Sequence, residues 1–170
     1  MTMTLVPVQE GTKTMTVMKS LLERHELSVL DAEDTVIELQ RLFENGRFRD
    51  KYLLWAVNDS FTCEEIFSIG FTDESIENGL EEAQTRQHNC ERITKACDVL
   101  RAVFSQYPEH ISAAMCAVGA YLLWWHRQYG LAAEYAEAAY KRDPDQSLAI
   151  LMHQIVTCEI PSPNTSVCEG

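Results

Sequence analysis

Glycine and proline are scarce in this chain. Seven glycines and five prolines in 170 residues leave few of the turn signals that separate the short strands of a β fold. Basic residues are few as well: 14 Lys and Arg stand against 26 Asp and Glu, a formal charge of −12. A chain so charged lacks the cationic face that grips a phosphate backbone or an anionic lipid surface. Direct nucleic-acid binding and membrane binding are therefore not expected. No apolar run reaches the roughly 20 residues that span a bilayer; the longest, Ala113 to Trp125, reads as a buried helix. Near the start, Met1 to Thr14 show no basic segment followed by an apolar one, so no secretory signal is read there.

Catalytic and metal-binding patterns are missing too. There is no nucleophile motif, phosphate-cradling glycine loop or HExxH pair. Cys63, Cys90, Cys97, Cys116, Cys158 and Cys168 form no CxxC pair and no ligand-like spacing with histidine. They read as small apolar residues with free thiols, in a protein kept in a reducing cytoplasm. His25, His88, His110, His126 and His153 are scattered and read as satisfied or solvent-facing. The expectation is no catalytic residue, cofactor, structural metal or disulfide.

What is present is helical periodicity. Hydrophobic residues make up 46% of the chain, and apolar positions recur at spacings of three and four almost throughout. The spacing predicts helices near Met15–Leu27, Asp31–Asn45 and Phe48–Val57, the last nearly all apolar and therefore central. Asn45-Gly46 reads as a stop between two of them. Thr62 with Glu65 forms a capping box that opens a short helix ending at Gly70. Another start falls at Thr72 and Asp73, with Asn78-Gly79 expected to interrupt or kink it. The longest helix is expected between Leu80 and Gln106, where Cys90, Ile93, Cys97, Leu100, Phe104 and Tyr107 make an a/d seam. Helices near Ser112–Gln128, Leu131–Lys141 and Gln146–Cys158 follow, broken at Gly130 and at Asp143-Pro144. Trp55, Leu100, Phe104, Leu122 and Leu148 are the expected shared core. The fold class is all-α, a helical bundle or array of seven to eight helices: a single domain over 15–158, a flexible start over 1–14 and a disordered tail over 159–170.

Ala113 to Pro144 is similar to one tetratricopeptide repeat, with Ala120, Ala132, Ala139 and Pro144 where that repeat places its small residues and closing proline. Cys116 and Gly119 depart from it, so the similarity implies a helical hairpin rather than a solenoid. Over about two thirds of its length the chain also resembles the C-terminal helical half of an actinobacterial family known as domain of unknown function 4192. Arg49-Asp50 before an apolar helix, the Trp-rich helix and the DP-x-x-S-L-A stretch (Asp143, Pro144, Ser147, Leu148, Ala149) carry that resemblance. It implies a helical fold and brings no activity with it.

Two features point outward. Between Asp59 and Glu91 nine acidic residues face a single base, Arg86. Glu74, Glu77, Glu81 and Glu82 are candidate docking residues for a partner with a basic surface; an ordinary solvated face is the bland alternative. Trp124-Trp125-His126-Arg127 is the densest aromatic stretch. Neighbouring helix positions diverge by about 100°, so the two indoles cannot fill one pocket; the favoured reading is that both close off the core, and the alternative places one at a rim or interface. Trp124 and Arg127 are candidates there, being types enriched at interfaces. The function expected is a non-enzymatic helical module that binds another protein, with homo-oligomerisation left open. The alternative is an acidic inhibitor carried by a phage or mobile element, imitating DNA to block a DNA-binding or defence enzyme.

Overall fold

The side chains of Asn45, Thr62, Thr72, Ser112 and Gln146 cap helix starts in the computed structural model, which describes residues 19–23, 26–85 and 90–164. After a helical turn at 19–22 and a 3-10 turn at Leu27–Asp31 come α1 (Glu33–Glu44), α2 (Gly46–Val57), α3 (Cys63–Ile66), α4 (Asp73–Ala83) and α5 (Glu91–Gln106). A 3-10 turn at Pro108–His110 leads into α6 (Ala113–Trp125), α7 (Tyr129–Arg142) and α8 (Ser147–Thr157). No strand occurs among the described residues. The protein is an all-α helical array, and no described helix is long and apolar enough to cross a membrane.

Asn45 closes α1 and opens α2: its backbone N–H donates to Leu42 and its side chain accepts from the Phe48 N–H at 3.2 Å. The reversal thus needs no helix-breaking glycine, and Gly46 is the first residue of α2. Thr62 and Glu65 make the expected capping box, and Thr72 with Ser75 makes a second. Each satisfies backbone donors that a helix start leaves unpaired.

The hub is α6. All its residues but Ala113 and Tyr121 are buried, and it packs against α1, α2, α5, α7 and α8. Its closest partner is α7. Ala117 and Ala120 on one helix and Ala132, Ala136 and Ala139 on the other are completely buried; small side chains let two helix axes approach. The expected hairpin is therefore present. α2 carries the second buried run, Tyr52 to Val57, and packs on α1, α4, α5 and α6.

Several expectations need correction. The seam from Leu80 to Gln106 is not one helix, because α4 ends at Ala83 and α5 starts at Glu91. Conversely, Asn78-Gly79 does not interrupt α4. Gly79 is buried against α2, and a Cβ there would stand 2.7 Å from Leu54 Cδ1. Its lack of a side chain serves close packing, and the buried Asn58 side chain donates to its carbonyl at 2.9 Å. Gly130 does not break the α6–α7 connection, since it lies inside α7. The chain turns at Arg127, which adopts φ 64. The Gln128 N–H reaches the Leu123 carbonyl and the Arg127 N–H that of Trp124, the paired bonds of a Schellman motif.

Phe104 is only partly buried, unlike Trp55, Leu100, Leu122 and Leu148, which lie in one core. Of the tail expected to be disordered over 159–170, Ile160, Ser162 and Asn164 hydrogen-bond to α6 and α7, and 165–170 lie outside the described residues. Cys90 is disulfide-bonded, so the expectation of six free thiols fails. Cys63, Cys97, Cys116 and Cys158 are free. The flexible start expected over 1–14 lies outside the described residues, as do His25 and His88.

Candidate functional site

Because α4 is continuous, Glu74, Glu77 and Glu81 share one helical face, with Glu82 beside them; all four are exposed. Ile76, Gly79 and Ala83 form the opposite, buried face. At the α4 start, Asp73 pairs with Arg47 of α2 at 3.1 Å. The acidic residues are thus presented together, because α4 runs on through Asn78-Gly79.

Trp124 and Arg127 do not join them. They sit at the α6–α7 turn, whereas α4 packs on α2. Both indoles are buried, Trp125 at 1% exposure and Trp124 at 8%, so both close off the core and the rim alternative falls. Their rings meet edge to face at 6.0 Å. Trp124 Nε1 donates to the Ile160 carbonyl at 2.8 Å. The C-terminal segment covers it, a tertiary contact that helical spacing does not encode. Arg127 is exposed, and its place is set by the turn rather than by a site. His126 is buried between the Thr94 hydroxyl and the Gln128 side chain, and burial pushes its pKa down.

The structure adds a groove that sequence spacing did not reveal. α5 and α7 flank α6 where Gly119 lies, and their side chains bridge the space above it. Phe104 of α5 and Tyr135 of α7 stack at 5.1 Å and 25°, and Leu131, 42% exposed, forms part of the α7 wall. Beside that stack a shallow groove of about 350 Å³ runs past Ile111, Cys116, Leu131 and Ala138. Its charged neighbours are Arg101, Arg142 and Glu134. Cys97 and Cys116 lie on the lining, and burial pushes the Cys97 thiol up to about 12 and raises that of Cys116. Neither is a reactive thiolate at neutral pH.

A second cavity, about 440 Å³, opens where α6 and α8 end, between Trp124, Tyr129, Ile155 and the 159–161 segment. A third cluster joins Glu33, at the start of α1, to Glu109 and His110. Their ligand atoms lie within 4.8 Å of one another, and His110 Nε2 is 2.9 Å from Glu33 Oε1. Both carboxylates are exposed. Residues 77 positions apart in sequence carry no local spacing signal, which is why the cluster is invisible before folding.

The fold and these surfaces define a helical array with an open apolar groove, an acidic face and a small cavity. No family model matches the chain, and neither a curated protein nor a solved structure matches it.

Proposed function

We propose that the chain is a non-enzymatic interaction module that holds an amphipathic helix of another protein in the groove between α5 and α7. The supporting observation is the groove itself: a shallow, largely apolar depression beside the Phe104–Tyr135 stack that joins α5 to α7, with a solvent-facing Leu131. Such troughs take a helix through apolar anchors at spacings of three and four, with aromatic side chains supplying most of the energy. The α4 acidic face then acts on encounter. Its field attracts a basic surface of the same partner and raises the association rate at low salt.

The competing reading is an acidic inhibitor that imitates DNA. It is favoured by the unbroken α4, which groups Glu74, Glu77 and Glu81 on one outward face. Two variants separate the readings in surface plasmon resonance against partners captured from a host lysate. Leu131→Glu should abolish binding to a groove partner, and reversal of Glu74, Glu77, Glu81 and Glu82 to Lys should only slow its association at low salt. A DNA mimic gives the opposite pattern, with Leu131→Glu silent and the charge reversal decisive. Captured proteins that bind both variants like the parent would end both readings.

A further inference from the structure

The cavity at the C-terminal ends of α6 and α8 is built differently from the groove. Its volume of about 440 Å³ falls within the range of roughly 300–1,000 Å³ typical of small-molecule pockets. Trp124 and Tyr129 supply aromatic walls, Ile155, Val156 and Ile160 supply aliphatic ones, and Glu159 is the charged side chain on the lining. Among the described residues, no basic side chain lines it.

The walls are fixed by hydrogen bonds. Trp124 Nε1 holds the Ile160 carbonyl at 2.8 Å, and the Ser162 N–H donates to the Tyr129 hydroxyl at 3.1 Å. Glu159 is placed by the backbone. It occupies the left-handed position after α8 with φ 52, where its N–H bonds the Val156 carbonyl and the Ile160 N–H bonds that of Ile155.

We propose that this cavity binds a small organic cation, an ammonium group carried on an apolar body. The carboxylate of Glu159 attracts the ammonium. Indole and phenol rings add the attraction of their negative faces, and the aliphatic walls cover the apolar body. Two helices also end here, and their carbonyl ends favour positive charge; the start of α7 offsets one of them. An anion would meet Glu159 with no compensating base, and a neutral ligand would gain nothing from its charge. The groove and its proposed partner play no part in this site.

Phenethylammonium is the probe, with 2-phenylethanol and 3-phenylpropionate as its neutral and anionic counterparts, titrated into the full chain by calorimetry. The cation should saturate one site about tenfold more tightly than the alcohol, with no binding of the carboxylate. Glu159→Gln should reduce the cation to the level of the alcohol. Glu159→Gly should do the same while raising the melting temperature, because glycine relaxes the left-handed backbone; that separates loss of the site from loss of the fold. Equal affinity for cation and alcohol, undiminished cation binding in Glu159→Gln, or no saturable binding in the millimolar range would each overturn the proposal.

Discussion

Arg127 and Glu159 occupy the same backbone position at the ends of α6 and α8, with φ 64 and 52. Helices usually reserve that position for glycine, because a Cβ in the left-handed region costs about 1–2 kcal/mol. Arg127→Gly should therefore stabilise the protein by about 1 kcal/mol, read as a higher urea midpoint at unchanged m-value. No increase would mean that the arginine makes compensating contacts at the turn. His126 gives a residue-scale dependence on pH. Burial lowers its pKa in the folded state, so the unfolded chain binds the proton more readily. Stability from this group is complete above its unfolded value of about 6.5 and is lost as pH falls through the window below it. The urea midpoint should drop between pH 7.5 and 5.5, and His126→Gln should show a smaller drop; an identical drop would place the effect on other groups.

At the scale of elements, two residues join α2 to its neighbours. Arg92 of α5 donates to the carbonyls of Trp55, Asn58 and Phe61 at 3.3, 3.3 and 2.6 Å, and its guanidinium lies 5.2 Å from the Trp55 ring centroid. A cation on the last carbonyls of a helix pairs with unsatisfied acceptors and with the negative end of its dipole. Replacing Arg92 by Leu should cost about 2–3 kcal/mol, seen as a lower thermal midpoint that salt does not reproduce. Gly79 is the other. A Cβ added there would stand 2.7 Å from Leu54 Cδ1 and 3.2 Å from the Phe61 ring, so Gly79→Ala should push α4 from α2 and destabilise by about 1–3 kcal/mol. Helix propensity alone favours alanine by about 1 kcal/mol, so a stabilised variant would show that α2 yields easily.

At the scale of the whole molecule, charge and apolar surface are segregated. The acidic residues of α4 are carried by the part built on α2, whereas the groove and the small cavity belong to the α5–α8 part. Association through one surface can thus be altered without touching the other. Phe104 shows what that arrangement costs: it stacks in the groove wall instead of the core. Phe104→Ala should destabilise by less than the roughly 3–5 kcal/mol of a buried phenylalanine, while removing a groove anchor. The disulfide at Cys90 is a molecular-scale test of a different kind. Alkylation in denaturant without reductant should label Cys63, Cys97, Cys116 and Cys158 and spare Cys90; labelling of Cys90 would restore the picture of free thiols.

Local signals determined the all-α class, the caps at Thr62 and Thr72 and the alanine-lined α6–α7 pair. Each depends on residues within one or two helical turns, where side-chain direction follows directly from spacing. Tertiary structure alone decided the rest. Gly79 reads as a helix breaker until α2 lies against it, and Gly130 reads as a turn until the Schellman bonds at Arg127 take that role. The contacts of Arg92 with Trp55 of α2, of Trp124 with Ile160 and of His110 with Glu33 join residues 36 to 77 positions apart. No periodicity encodes such pairs, because a helix repeats every 3.6 residues and says nothing about which face of which neighbour it will meet.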